Sequence, residues 1–162
     1  MSIFEFAMQM EVDGEKFYRE LADKSSNSGL KKIFSNLADE EVNHYNVFKN
    51  IKEHSSLDIE GTTILEDSKN IFAQMKAQNN TDVSADVDQK EAYKVALDME
   101  TNAYNYFEEK AEESSEPAEK KLLLAIAREE RRHHRLIQGL IDFISQPETW
   151  LENAEFVHLT EY

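Results

Sequence analysis

Apolar and small residues recur along four stretches of the chain at the alternating three- and four-residue spacing of a helix face. In the first stretch they are Phe4, Ala7, Gly14, Tyr18 and Leu21. The pattern predicts four long amphipathic helices. They cover about residues 3–24, 29–53, 88–113 and 117–145.

The connections predict how these helices are arranged. The first link is short, and Asn27 or Ser28 can cap the second helix by accepting a backbone N–H. A long polar crossover at about 54–87 contains one short amphipathic piece at 64–75. Pro117 suits the first turn of the fourth helix because it has no N–H to leave unsatisfied. We therefore expect two antiparallel hairpins that form one bundle.

The predicted fold class is all-α, a four-helix bundle over residues 1–145. Pro147 begins a short terminal helix in residues 146–162, where Trp150 and Phe156 are predicted to cover a bundle surface or a dimer contact. The chain of 162 residues, 40% of them hydrophobic, suits one domain with one core. Its four glycines and two prolines agree with long helices and few turns.

Charge and cysteine content exclude several functions. The net charge of -15 would repel nucleic acid and anionic membranes. The absence of cysteine excludes disulfides, thiolate metal sites and iron–sulfur centres, so any electron donor must be another molecule. The first residues lack the basic region of a signal peptide, and no apolar run reaches membrane-spanning length, so a cytoplasmic location is expected.

Metal-binding side chains interrupt the four apolar faces. Glu11 lies between Ala7 and Gly14, on the face that should be buried. The second helix carries two such residues, the third helix one and the fourth helix two. The complete set is Glu11, Glu41, His44, Glu100, Glu130 and His133.

These interruptions belong to an internal repeat with an offset of 89 residues, which relates Glu11 to Glu100, Glu41 to Glu130 and His44 to His133. The flanks repeat as well, because MEVDGEKFYRELA aligns with METNAYNYFEEKA and LADEEVNH aligns with IAREERRH. Two copies of one hairpin would place these residues around an approximate twofold axis.

A dinuclear metal site explains four buried carboxylates. Unpaired charges in an apolar bundle cost several kcal/mol each, roughly, whereas two divalent cations would neutralise four carboxylates. One Glu from each of two helices with Glu-x-x-His from the other two is typical of carboxylate-bridged sites. We expect Glu41 and Glu130 to bridge two iron ions. Manganese or zinc are possible substitutes.

Other polar residues near these positions are predicted to have smaller roles. Tyr18, two turns after Glu11, is either a hydrogen-bond donor to a metal-bound carboxylate or an ordinary core tyrosine. Its counterpart in the second repeat is Phe107. Outside the core faces lie Glu40, Glu129 and His134, which are predicted to be surface residues or neighbours that hydrogen-bond a ligand. No role is expected for His54 and His158.

The motifs ExxGxxFYxxLA from Glu11 and LAxEExxH from Leu37, with their counterparts in the second half, resemble the rubrerythrin branch of the ferritin-like superfamily. The resemblance covers about residues 4–143. It implies a diiron centre that reacts with peroxide or dioxygen, in homodimers or larger assemblies. The chain departs from that pattern in two ways. It has no cysteine-bearing rubredoxin domain, and Ala103 stands where the family often has a further metal-binding Glu.

The leading functional hypothesis is a peroxidase active in oxidative stress, which reduces hydrogen peroxide with electrons from an external donor such as a rubredoxin-like protein. Glu11 and Glu100 would be terminal ligands, and His44 and His133 would each complete one ion. One alternative is ferritin-like iron storage or a ferroxidase, and storage would require that the chains assemble into a hollow shell. Another is an oxygenase, which a substrate-sized apolar cavity beside the irons would favour.

Overall fold

The computed structural model describes residues 1–54, 62–152 and 159. Within these ranges the chain forms helices and no strand. The helices are α1 (Ile3–Lys24), α2 (Ser28–His54), α3 (Ile64–Ala77), α4 (Ser84–Val87), α5 (Lys90–Glu113), α6 (Pro117–Ser145) and α7 (Pro147–Glu152). The predicted all-α class is confirmed, and the four long helices begin and end within two residues of the predicted positions.

The bundle is built from two helical hairpins. The closest packing is between α1 and α2 and between α5 and α6, and fewer contacts join α1 to α5 and α2 to α6. The predicted four-helix bundle is therefore present. No helix in the described part of the chain is long and apolar enough to cross a membrane.

Side-chain caps fix where the helices begin. Ser2 accepts a hydrogen bond from the backbone N–H of Glu5, whose carboxylate accepts from the Ser2 N–H in return. Asn27 caps α2, because its Oδ1 accepts from the backbone nitrogens of Gly29 at 2.9 Å and Leu30 at 3.2 Å. Of the two caps predicted for this helix, Asn27 is thus the one that forms. Pro117 occupies the first turn of α6 as predicted.

The crossover closes one end of the bundle. Its amphipathic piece is α3, which packs against α2, α6 and α7. The Phe72 ring of α3 lies 4.3 Å from the Trp150 ring of α7, and Phe143 of α6 contacts both rings. Trp150 therefore covers a bundle surface, as predicted. The predicted role of Phe156 lies outside the described residues.

The apolar core is divided into two clusters. The larger one surrounds Phe34 and Phe72 and includes the crossover, and the smaller one surrounds Phe48 and Phe107. The six predicted metal-binding residues belong to neither cluster, although all of them are buried. A polar layer therefore lies within an otherwise apolar bundle.

Asp86 fastens the crossover to the α1–α2 turn. It is fully buried and accepts from Ser26 N at 3.2 Å, Ser26 Oγ at 3.0 Å and Asn27 N at 3.4 Å. The α4 turn that presents it was not predicted, because these partners lie about 60 positions earlier in the sequence.

We predict that Asp86→Ala lowers the free energy of unfolding by about 1–3 kcal/mol, because several donors lose a charged acceptor. Urea unfolding followed by circular dichroism measures the change. Asp88→Ala, at an exposed neighbouring position, is the control and should unfold like the unmodified chain. Equal unfolding curves for both variants would show that Asp86 does not fasten the crossover.

Candidate metal centre

The four long helices bring all six predicted residues together. None of these residues is more than 4% exposed. Glu41 and His44 are one turn apart on α2, and Glu130 and His133 are one turn apart on α6, so each pair points the same way. Glu11 of α1 and Glu100 of α5 face them.

The distances follow the internal repeat. His44 Nδ1 lies 3.0 Å from Glu130 Oε1 and 3.6 Å from Glu11 Oε2. In the symmetric half, His133 Nδ1 lies 3.2 Å from Glu41 Oε1 and 3.6 Å from Glu100 Oε1. The two imidazole rings are nearly parallel, with centroids 5.5 Å apart. The sequence repeat is therefore an approximate twofold symmetry of the site.

Two overlapping groups of four residues have ligand atoms that all lie within 4.8 Å of one another. One group contains Glu11, His44, Glu41 and Glu130, and the other contains Glu100, His133, Glu41 and Glu130. Each group offers three carboxylates and one imidazole. Only Glu41 and Glu130 belong to both, which is the geometry that two bridging carboxylates require.

A glycine leaves room for one of the shared carboxylates. A Cβ at Gly14 would lie 3.3 Å from the Glu41 Cδ, closer than most such contacts. The residue related to Gly14 by the repeat is Ala103, which also lines the cavity beside the site. No further carboxylate enters from that position, so the clustered ligand set remains symmetric.

Tyr18 breaks the symmetry of the site. Its hydroxyl is buried and donates a hydrogen bond to Glu100 Oε1. Burial and the negative charge of Glu100 raise the pKa of Tyr18 well above its ordinary value, so the hydroxyl keeps its proton. The related residue, Phe107, stacks on Phe48 and offers no donor. Only one of the two halves therefore has a tyrosine that orients a terminal carboxylate.

The adjacent acidic residues Glu40 and Glu129 lie close to the imidazoles. Glu129 is buried, which excludes the surface position and leaves the other predicted one, beside the ligands. It pairs with Arg132 through Oε1. Glu40 is partly buried, and one of its oxygens lies within 4.8 Å of ring nitrogens of His44 and His133. The repeat relates these two residues as well, because 89 positions separate them.

The remaining histidines lie away from the cluster or outside the described structure. His134 is partly buried against the Tyr104 ring and belongs to none of the clustered ligand groups. The side chain of His54 and all of His158 lie outside the described residues.

Burial governs the protonation of the carboxylates. Burial, with repulsion from Glu130, raises the pKa values of Glu11, Glu41 and Glu100 well above 4.5. Burial also acts to raise the pKa of Glu130, but His44 and His133 outweigh it and lower that pKa. The metal-free cluster therefore holds protons in place of cations.

Burial opposes the charge on the two imidazoles, but their carboxylate neighbours outweigh it. Glu130 is the main cause of the raised pKa of His44, and Glu100 is the main cause of the raised pKa of His133. Both rings are therefore easier to protonate in the metal-free chain than a free imidazole is. A bound metal ion would replace the ring proton as the positive partner of the carboxylates.

The residues present fit a pair of divalent metal ions. Nε2 of His133 is buried without a hydrogen-bond partner among the described residues. Four carboxylates could balance two divalent cations, and a donor set of carboxylate oxygen and imidazole nitrogen suits iron or manganese. Without bound cations, burying these carboxylates and imidazoles in an apolar bundle would be energetically unfavourable.

The fold and the site define a ferritin-like helical bundle with a buried carboxylate–histidine cluster. The family model for rubrerythrin matches residues 2–141, and the chain therefore belongs to the rubrerythrin family. No curated protein sequence and no solved structure matches the chain.

We predict that the metal-free protein becomes less stable as the pH rises from about 5 to about 8. Carboxylates and imidazoles with raised pKa values bind more protons in the folded chain than in the unfolded chain, so their stabilisation is lost with rising pH. The opposite contribution of Glu130 lies below its ordinary pKa of 4.5, outside this window. Ferrous or manganous ion should reverse the trend, because metal binding requires deprotonated ligands.

Thermal unfolding at both pH values, with and without metal under anaerobic conditions, measures the difference. A change of 1 kcal/mol corresponds to roughly 2–4 °C for a chain of this size. Glu100→Gln should flatten the pH dependence of the metal-free protein, whereas Glu109→Gln, at an exposed position of the same helix, should not. Equal midpoints with and without metal at pH 8 would contradict a buried metal site.

Proposed function

We propose that the protein is a non-haem diiron oxidoreductase that reduces hydrogen peroxide with electrons from an external donor. The observation that carries the proposal is the pair of overlapping four-residue groups that share Glu41 and Glu130. Membership of the rubrerythrin family supports iron as the metal. Manganese or zinc could occupy the same donor set.

The proposed role of each ligand follows from which of the two four-residue groups it belongs to. Glu41 and Glu130 would bridge the two ions because each has oxygens within reach of both imidazoles. Glu11 and His44 would complete one ion, and Glu100 and His133 would complete the other. A reduced diiron pair would supply two electrons to an O–O bond, which equals the need of hydrogen peroxide and half that of dioxygen reduced fully to water.

A cavity of about 200 Å³ lies beside the cluster, between α1 and α5. The four clustered glutamates form its floor, and Gly14 and Ala103 leave its walls open. The exposed residues Asp13 and Asn102 belong to its rim, so solvent reaches it. Pockets for organic ligands have volumes of roughly 300–1,000 Å³. The smaller cavity supports a small oxidant more than a bulky oxygenase substrate.

The chain positions protons as well as ligands. Reduction of one hydrogen peroxide to two waters consumes two protons and two electrons. Solvent at the cavity rim can supply the protons, and Tyr18 Oη holds one proton against Glu100. That hydrogen bond fixes the orientation of one carboxylate at the cavity, and Phe107 leaves the related carboxylate free of such a donor. The two ions would therefore differ in reactivity.

The electrons for repeated turnover would come from a second molecule. The sequence has no cysteine, so it cannot hold a rubredoxin-type iron centre of its own. A rubredoxin-like carrier is the partner we propose. Assembly as a homodimer or larger homo-oligomer is a further part of the proposal that the family resemblance suggests.

Iron storage with ferroxidase activity is the alternative that the same site could serve. We predict that the anaerobically reduced, iron-loaded protein is oxidised faster by hydrogen peroxide than by dioxygen, with one peroxide consumed per pair of ions. Stopped-flow absorbance of the oxidised centre measures both rates. Glu41→Ala and Glu130→Ala should lose the reaction because each removes a shared ligand.

Glu109→Ala removes an exposed carboxylate from α5 and serves as the control with unchanged kinetics. Metal analysis of every variant shows whether a lost rate reflects lost iron. Faster oxidation by dioxygen, followed by mineral growth when ferrous iron is in excess, would assign the protein to storage.

A further inference from the structure

Positive charge is concentrated on one helix of this acidic protein. Four of the five arginines of the chain lie between residues 128 and 135, although the chain carries a net charge of -15. Residues 120–135 contain six basic residues, and their two acidic residues, Glu129 and Glu130, are both buried. The outward side of this part of α6 is therefore strongly cationic.

The basic residues follow the solvent side of the helix. Lys121, Arg128 and Arg135 are spaced by seven residues, which is about two helical turns, so they lie along one line. Arg131 is exposed beside them. We call these four residues the basic stripe. The core side of the same helix carries Glu130 and His133.

The stripe lies close to the candidate metal centre. An α-helix with its side chains is about 10–12 Å across, so about one helix diameter separates the stripe from the buried ligands. His133 is part of the same backbone segment as Arg131 and Arg135. Electron transfer between proteins weakens steeply with distance, and a carrier seated on the stripe would be separated from the cluster by a single helix.

The surface beside the basic stripe has a cavity and an ordered arginine as well as positive charge. Arg131 donates two hydrogen bonds to the Glu108 carboxylate, at 2.8 and 3.0 Å. Its guanidinium lies 4.1 Å from the centre of the Tyr104 ring. A cavity of about 270 Å³ opens between α5 and α6, with Tyr104, Arg135 and His134 in its wall. Arg128 is exposed and forms no ion pair with any described residue. Its charge is thus available to a partner.

We propose that the basic stripe is the docking surface for a small acidic electron-carrier protein. The inference rests on the proposed function, because only a redox centre would need such a carrier. Each reduced carrier would give up one electron, so two successive encounters would return the two electrons that one peroxide removes. Acidic side chains of the carrier would pair with the stripe.

Charge complementarity favours this surface over the outer sides of α1 and α5. The outer sides of α1 and α5 carry exposed acidic residues, such as Glu20, Asp23, Glu109 and Glu112, and would repel an acidic carrier. The stripe also does not suit nucleic acid, because the net charge of the whole chain repels a polyanion at longer range.

Isothermal titration with a purified acidic rubredoxin as the probe tests the docking surface directly. The variant Arg128→Gln/Arg135→Gln should bind about tenfold more weakly, because two charge pairs are lost. Lys31→Gln/Lys32→Gln removes the same charge from exposed positions on α2 and should bind like the unmodified protein. Affinity of the unmodified protein should fall as salt increases, and the Arg variant should show a smaller salt dependence.

Titrations of metal-free and iron-loaded protein separate this inference from the proposed function. If the carrier binds through the basic stripe in both the metal-free and the iron-loaded protein, the docking surface is supported. This holds even if the oxidation kinetics favour dioxygen. In the iron-loaded protein, transfer from reduced rubredoxin should slow in the Arg variant and not in the Lys variant. Equal weakening by both variants, or none by either, would overturn the assignment of the stripe.

Discussion

The structure depends on four carboxylates and two imidazoles that are buried together inside an apolar bundle. Leaving such charges uncompensated costs several kcal/mol each, roughly, so their presence requires either protons or cations. In the metal-free chain burial raises the pKa values of Glu11, Glu41 and Glu100, which favours their protonated forms. Two metal ions would satisfy the same requirement and join all four helices.

The internal repeat accounts for the symmetry of the ligand cluster, and departures from the repeat account for the differences between its two halves. Symmetric distances around His44 and His133 produce two equivalent groups with shared carboxylates. Tyr18 then marks one half, because Phe107 supplies no hydroxyl to the other. The cavity lies on the α1–α5 side and the basic residues on α6, so oxidant and electron donor would approach through different surfaces.

Much of this organisation could be predicted from the sequence, because helical periodicity places residues on faces without knowledge of tertiary contacts. The six clustered residues were found as polar interruptions of apolar faces. The sequence left open whether Glu129 lies at the surface or beside a ligand, because its burial depends on Arg132 and on the approach of α2. Asp86 was missed for a similar reason, since its partners lie across the crossover.

Crystals of the protein loaded with ferrous iron under anaerobic conditions test the central claim most directly. Anomalous diffraction at the iron absorption edge should show two ions per chain, at the roughly 3.5–4 Å separation of two-metal sites. Glu41 and Glu130 should contact both ions. A single ion, or ions bound away from the six clustered residues in fully loaded crystals, would contradict a dinuclear centre.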